Sequence, residues 1–425
     1  MLELEITGVA HGGWCVARDA SGRVVFVRHA LPGERVLARV TGETARFARA
    51  DAVEIIEPSP DRVAPPCPHA RPGGCGGCDW QHASLPAQRR LKAAVIGEQL
   101  RRIAGLEREI TVEPLPGDSG GLGWRTRVRF SVAPDGTAGL LRHRSHEVAE
   151  VTDCLIAHPL IRELAVTRQR WHGARWVEAV AAPGSGERAL LVSPDAARCE
   201  PAATALASSV ISVRGRREAP VRGRGYLRQA AAGRTWRVAA SGFWQGHPGA
   251  AGVLTEAVLA ALRPRPGDVA LDLYSGAGLF AGALAGAVGP DGTVIAVESD
   301  PAAVRDARHN LRATPWARVH RGEAARVLAA GPGRDWPAPR LAVLDPPRAG
   351  AGREVVAQLA ALAGLERIAY VSCDPATLAR DIALFTAARW QLAELRGFDA
   401  FPMTHHVECL AVLARGGTAP SRGIP

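Results

Sequence analysis

The chain has a single lysine, Lys92, among 52 basic residues, and only 3 tyrosines and 2 methionines. So uniform a preference for arginine reflects the coding composition of the host as much as function, so the arginine excess carries little weight by itself. Long hydrophobic runs are also missing. None approaches the ~18 apolar residues of a membrane span, and Met1-Leu-Glu-Leu-Glu5 lacks the basic start and apolar core of a secretory leader. Membrane-spanning and secreted classes are set aside, and a cytoplasmic, monomeric protein is expected. What is present is ordinary globular composition, 47% apolar and 22% charged over 425 residues. That length exceeds one typical core of about 100–200 residues, so several domains are expected.

The formal net charge is +10 and the isoelectric point near 9.8, which puts a polyanion among the candidate partners. Residues 1–57 carry 7 basic and 8 acidic side chains, and residues 248–425 carry 18 and 17. The remaining 27 basic and 17 acidic residues, between 58 and 247, hold the excess. It is densest from Arg214 to Arg237, with eight Arg against Glu218 alone. A solvated strand surface and a nucleic-acid footprint both fit such a stretch.

Short alternating runs at Leu2–Ile6, Val24–Val27, Arg35–Val40 and Ala52–Ile56, separated by Gly, Asp and Pro turns, predict a small β-barrel over 1–57. Residues 58–247 read as a central α+β domain that opens on a Pro, Gly and Cys-rich segment, followed by a helix over 85–102. From 248 to 425, apolar runs at Val269–Leu273, Thr293–Val297, Leu341–Leu344 and Ile368–Val371 alternate with helical stretches. This predicts a Rossmann-like α/β domain with a parallel sheet covered on both faces. Two last runs, Gln391–Leu395 and Val407–Leu413, are predicted to pair antiparallel.

Ligands of such sheets bind at the carboxyl ends of the strands, where the sequence places Asp272, Glu298, Asp345 and Cys373. In Asp272-Leu-Tyr-Ser-Gly-Ala-Gly278 two glycines allow close backbone approach, and Glu298, 20 residues past Gly278, suits ribose hydroxyls. S-adenosylmethionine fits this turn, and so does NAD through Gly276-x-Gly278-x-x-Ala281. Asp272 and the aromatic Tyr274 favour the cationic sulfonium. Asp345-Pro-Pro-Arg348 resembles the motif of adenine-amino methyltransferases, but Arg348 replaces the stacking aromatic, which argues against an amino target.

In Val371-Ser-Cys-Asp-Pro-Ala-Thr-Leu-Ala-Arg-Asp381, Cys373 stands at a strand end with a helix opening behind it, the setting of a thiolate nucleophile. A small buried cysteine is the plain alternative. Glu408, at the start of the last strand, is a candidate base. A thiolate, an acid and a sulfonium methyl donor suggest one reaction. Addition of the thiolate to carbon 6 of uracil makes carbon 5 nucleophilic, and after methylation a base removes the carbon 5 proton and the thiolate leaves.

Of 8 cysteines, Cys67, Cys75 and Cys78 form a group whose spacing in an intracellular chain means metal rather than disulfide. Zinc would take His69 or His82 as fourth ligand; an iron–sulfur cluster would take Cys154. Cys15, Cys199 and Cys409 read as structural.

Together these segments resemble the RNA uracil-5 methyltransferases, which form 5-methyluridine in ribosomal and transfer RNA. The resemblance spans nearly the whole chain. It includes a TRAM/OB-like barrel, the Gly-Gly-Cys-x-x-Gln-His ending of the Cys segment, Gly123-Trp-Arg-Thr-Arg-Val-Arg-Phe130, Arg144-Ser-His-Glu-Val148 and the Ser-Cys-Asp-Pro-x-Thr-Leu-Ala-Arg-Asp signature. It implies a class I methyltransferase domain with Cys373 as nucleophile and Glu408 as base. It implies S-adenosylmethionine contacts from Gln245, Tyr274, Leu279, Glu298 and Glu323, with Asp345 near cofactor and target base. A [4Fe-4S] cluster on Cys67, Cys75, Cys78 and Cys154 is implied, with zinc as the alternative. The implied partner is RNA, ribosomal rather than transfer, because the transfer RNA branch lacks barrel and cluster. The chain departs from the family at Gln245-Gly-His247, where Gln-Val-Asn is usual, at Ser275, where Cys is common, and at Leu279, which replaces a polar residue. The rival readings are a nicotinamide-dependent or iron–sulfur redox enzyme and a non-catalytic RNA-binding module.

Overall fold

The computed structural model describes residues 1–193, 203–215, 217–331 and 336–415; Cys199 and Arg216 lie outside them. Alternation in the first 57 residues becomes six strands, not four: Leu2–Glu5, Gly8–Ala10, Trp14–Arg18, Val24–Arg28, Arg35–Glu43 and Phe47–Glu57. The two additional strands, Gly8–Ala10 and Trp14–Arg18, flank the His11-Gly-Gly13 turn, and the first has only three residues. Leu4, Val25, Val27, Val36, Ala38, Ala48 and Ala50 share one apolar core. Register shifts between the two longest strands curl the sheet around it.

A second sheet of seven strands runs in the spatial order Val148–Ala149, Ala138–Leu141, Arg127–Val132, Trp176–Ala182, Glu187–Ser193, Ser209–Arg214 and Arg217–Arg222. Val128, Phe130, Trp171, Val177, Leu190 and Val192 form its core. The last strand is a sheet edge, exposed at every position. Its arginines, Glu218 and Pro220 are the residue types that keep an exposed edge from pairing with another chain.

The third sheet has eight strands in the order Ala317–Arg321, Thr293–Glu298, Val269–Leu273, Leu341–Leu344, Arg367–Ser372, Glu408–Arg415, Trp390–Asp399 and Val112–Pro114. The first five are parallel, and Glu408–Arg415 runs antiparallel to both of its neighbours. Separate apolar clusters cover the two faces. No helix among the described residues is long and apolar enough to cross a membrane.

Two elements expected in the central domain pack here instead. The helix Leu85–Gln99 sets Ile96 in the same core as Tyr370, Ile382 and Phe385, and Val112–Pro114 is the edge strand beside Trp390–Asp399. The hairpin Tyr226–Ala231 with Arg234–Ala239 likewise buries Trp236 in a core of the third sheet. Apolar surface is buried where the chain path brings it, and sequence adjacency does not record that path. The sole lysine fastens the helix: Lys92 Nζ, fully buried, donates to Asp399 Oδ1 at 2.5 Å and to the Phe401 carbonyl at 3.0 Å.

Candidate active site

Ser372 faces Cys409 across the antiparallel ladder, so the next residues outward, Cys373 and Glu408, leave the sheet at the same end. The signature around Cys373 is a set of fastenings. Asp374 caps the helix Pro375–Ala387, accepting from the N–H groups of Ala376 at 3.0 Å and Thr377 at 2.9 Å. Thr377 Oγ1 donates to the Arg348 carbonyl at 3.0 Å, and Arg380 to the Ala349 carbonyl at 2.8 Å. Buried Asp381 accepts from the Tyr370 hydroxyl at 2.6 Å and the Ala351 N–H at 2.8 Å. The loop carrying Asp345 and Arg348 is thereby clamped to the helix behind Cys373. Gly350, with φ of +78°, is required in that clamp, because a Cβ would stand 2.6 Å from both Arg380 and Asp381.

Burial, then the Glu408 carboxylate, pushes the Cys373 thiol up to about 11, against the pull of the Arg348 guanidinium that hydrogen-bonds it. The thiolate expected from the helix start is therefore not the resting form. The partial charge of a helix N-terminus is outweighed by lost hydration and nearby carboxylates. Glu408 is buried and its Oε1 lacks a hydrogen-bond partner. Burial and the neighbouring Asp345 hold it well above the carboxylate range, and burial raises Asp345 to about 7. Peptide-resolved alkylation of Cys373 is expected to reach half its limiting rate near pH 11, against about 8.5 for an unperturbed thiol. A midpoint at the ordinary value would contradict this electrostatic picture.

On the cofactor side, Glu298 Oε2 accepts from the Gly276 N–H at 2.9 Å and Oε1 from the Asp300 N–H at 2.7 Å, which fixes the carboxylate at the strand end. Tyr274 begins the glycine turn with φ of +64°. Asp272 is fully buried, one oxygen accepting from the Ala281 N–H at 2.7 Å and the other, Oδ1, without a partner. Ser275 Oγ is a second buried atom without one. Gln245 Nε2 donates to Asp345 Oδ2 at 3.4 Å, which joins two of the expected contacts. Leu279 belongs to the apolar core rather than to a polar surface. Glu323 is exposed ahead of the helix Ala324–Ala329, and its charge reaches Tyr274.

Cys67, Cys75, Cys78 and Cys154 line one small pocket with His69, Arg125, Leu140 and Val151. Gln81 explains the Gln of the motif: its Oε1 accepts from the Cys67 N–H at 3.0 Å, and its side chain hydrogen-bonds the Cys78 thiol. Gly76 is forced, because a Cβ would lie 2.6 Å from the His143 nitrogen. His82 is not at the thiols; its ring nitrogen meets the Ala30 carbonyl of the barrel at 3.2 Å, and burial pushes it down to about 4. Among the described residues no three His, Cys, Asp or Glu side chains are arranged to hold one metal ion.

The basic stretch serves structure more than expected. Arg228 pairs with Glu187 at 2.8 Å, Arg237 with Asp306 at 3.1 Å, Arg222 donates to the Ala207 carbonyl, and Arg234 lies 4.8 Å above Trp236. An aromatic and cationic patch that the balance of charge concealed lies at the barrel. Arg49 sits 4.9 Å from the Phe47 ring, Phe26 packs edge-on against Phe47, and Arg144 lies 5.4 Å from the Trp14 ring. For Phe26, Phe47 and Arg49 the alternation of the strands was the available signal; Trp14 is buried and Arg144 lies in a turn between Leu141 and Val148, so neither was legible that way. Phe243, 67% exposed and two residues before Gln245, is another aromatic left uncovered.

Residues 339–416 match the family model described as tRNA (Uracil-5-)-methyltransferase, and residues 1–53 match the TRAM domain. An uncharacterized RNA methyltransferase of Streptomyces avermitilis is 52% identical, covering 97% of each chain. The 23S rRNA (uracil(1939)-C(5))-methyltransferase of Halomonas elongata is 34% identical over 98% of this chain and 90% of its own. The tRNA (uracil-54, C5)-methyltransferase of Pyrococcus abyssi, solved with S-adenosyl-L-homocysteine, superposes with a TM-score of 0.72 at 21% identity over 97% of this chain and 99% of that one, a likeness of fold.

Proposed function

Because this chain belongs to the S-adenosylmethionine-dependent RNA uracil-5 methyltransferases, we propose that it converts a uridine of ribosomal RNA to 5-methyluridine, with Cys373 as nucleophile and Glu408 as base. The observation that carries the roles is the joint exit of Cys373 and Glu408 from one sheet end, beside Asp345 and Arg348. Family membership displaces the nicotinamide and purely binding alternatives. The ribosomal target rests on the Halomonas relative; the barrel does not separate ribosomal from transfer RNA, contrary to the expectation from sequence, because the Pyrococcus tRNA enzyme superposes over 97% of this chain, barrel included. Transfer RNA is the alternative, supported by the fold shared with the Pyrococcus enzyme.

S-adenosylmethionine, when bound, supplies the methyl group and a positive sulfonium. Gln245, Tyr274 and Glu298 are the residues proposed to hold it, with Asp345 at the border of the target base; Glu323 and Leu279 lie at the margin. The unpartnered Asp272 Oδ1 and Ser275 Oγ fit a ligand at the turn. A cation held beside Asp345 would favour the ionised form of Asp345 and of the neighbouring Glu408 and Cys373, whose charges act on one another. Arg348 supports the thiolate as it adds to carbon 6, and Glu408, once ionised, takes the carbon 5 proton. The decisive test compares 5-methyluridine in ribosomal and transfer RNA from cells with and without the gene. Loss from 23S rRNA is expected, and loss from tRNA alone would overturn the ribosomal assignment.

We assign the four-cysteine pocket to an iron–sulfur cluster. Four thiols around one small space beside the Arg125 cation suit an anionic cluster, and Cys67, Cys75, Cys78 and Cys154 would hold it. Proton and methyl transfer move no electron, which leaves it a role in structure or in RNA binding. Anaerobically purified protein is expected to carry iron and acid-labile sulfide in equal amounts, both lost in Cys154→Ser; zinc without sulfide would refute the cluster.

RNA contact is assigned to the barrel patch. Arg49→Ala and Arg144→Ala are each expected to flatten the salt dependence of RNA binding by about 0.7 in log–log slope per lost phosphate contact. Arg228→Ala, which removes a residue already paired with Glu187, is expected to change that slope less. The reverse ranking in salt titrations would return the RNA footprint to the Arg214–Arg237 stretch.

A further inference from the structure

The barrel turn His11-Gly-Gly13 touches both segments that carry the proposed catalytic residues. His11 Nε2 lies 3.4 Å from Asp374 Oδ2, the carboxylate that caps the helix behind Cys373. Despite burial, the His11 hydrogen bond and the Thr377 N–H hold Asp374 down to about 2. Gly13, with φ of +82°, passes so closely that a Cβ would meet Asp79 at 3.0 Å and His405 at 3.1 Å. Asp79 Oδ2 is bonded to His405 Nδ1 at 2.7 Å and accepts the His405 N–H at 3.2 Å. The N–H groups of Asp79 and Trp80 both donate to the Met403 carbonyl at 3.0 Å. The segment so fastened runs directly into Glu408. Arg28 of the barrel reaches Asp79 at 4.0 Å, and these two side chains are only 8% and 9% exposed, too buried to meet an RNA phosphate.

We propose that the N-terminal barrel is part of the catalytic scaffold as well as an RNA handle: His11 and His405 are positioning residues that hold the Cys373 and Glu408 segments in mutual register. The inference rests on the roles given above to Cys373 and Glu408. His11, through Asp374, steadies the start of the nucleophile helix. His405, through Asp79, ties the base-bearing segment to the thiol-rich loop and the barrel turn behind it. A scaffold error of about 1 Å costs on the order of 10²-fold in rate without weakening substrate capture.

The test uses full-length His11→Ala and His405→Ala, with His11→Gln and His405→Asn as variants that replace the bonding nitrogen. Both side chains are partly exposed, 39% and 23%, and thermal melts check that folding is intact. The limiting rate of methyl transfer is expected to fall about 10- to 100-fold in each alanine variant, with the half-saturating RNA concentration unchanged and most of the rate recovered in Gln and Asn. In His11→Ala without RNA, peptide-resolved alkylation of Cys373 is expected to change in rate and pH midpoint. An unchanged limiting rate with weaker RNA saturation would overturn the proposal, leaving the barrel as an RNA handle only. If wild-type protein methylates no RNA offered, the functional reading fails, and the alkylation measurement then decides the scaffold: identical profiles in wild type and His11→Ala overturn it.

Discussion

Cys373→Ala is expected to abolish the covalent adduct that wild-type protein forms with RNA containing 5-fluorouridine, and to cut methyl transfer by at least about 10⁴-fold. The fluorine at carbon 5 cannot leave as a proton, so a nucleophile that has added to carbon 6 stays attached and appears as a retarded band on a denaturing gel. The half-buried position of Cys373 beside Arg348, Asp345 and Glu408 makes it the one thiol at that sheet end able to add; Cys409, its neighbour across the ladder, is fully buried. Glu408→Gln should behave differently. The amide keeps the shape of a side chain whose Oε1 lacks a partner, but it cannot accept the carbon 5 proton. Addition and methylation then proceed, and the methylated adduct accumulates even on ordinary uridine RNA, with turnover about 10²- to 10⁴-fold slower. An adduct that persists in Cys373→Ala, or normal turnover in Glu408→Gln, would remove the corresponding role.

Lys92→Met is expected to be the most destabilising single change outside the site, by about 3–5 kcal/mol. The cost arises from what is left behind: Asp399, 2% exposed, would keep its carboxylate in the interior with no cation at 2.5 Å. Burial pulls the Lys92 ammonium down, and its contact with Asp399 opposes that pull. The double variant Lys92→Met with Asp399→Leu should therefore recover most of the loss, because an apolar pair incurs no charge desolvation. Lys92 also donates to the Phe401 carbonyl, where the chain turns toward Glu408, so the single variant should lose activity as well as stability. Denaturant melts and initial rates decide both points; equal stability of Lys92→Met and wild type would show the pair to be dispensable.

The candidate nucleophile and base were legible because their chemistry is written in local order. A strand, a Cys, an Asp cap and a Pro opening a helix must follow one another in the chain, and Thr377, Arg380 and Asp381 belong to the same helix. The protonation of Cys373 was not legible. The helix start argues for a thiolate, whereas the groups that raise the thiol, Glu408 and Asp345, arrive from two other strands. The extent of the central region misled for the same reason: the Leu85–Gln99 helix and Val112–Pro114 strand find their partners near residues 380 and 397, beyond any local pattern. Which members of the arginine stretch are already paired, Arg228 with Glu187 and Arg237 with Asp306, was likewise invisible in the sequence.

By itself, then, the sequence determined the residue types and their local frames: the glycine turn before Glu298, the capped helix behind Cys373, the grouped cysteines and the alternating strands. These depend on contacts within a few residues, where backbone geometry leaves little choice. Only the tertiary structure decided which apolar segments share a core, that Lys92 is locked to Asp399, which arginines are already paired, and that the barrel turn abuts both proposed catalytic segments. Those outcomes depend on burial and on charges brought together from distant parts of the chain, and both are properties of the folded path rather than of residue order.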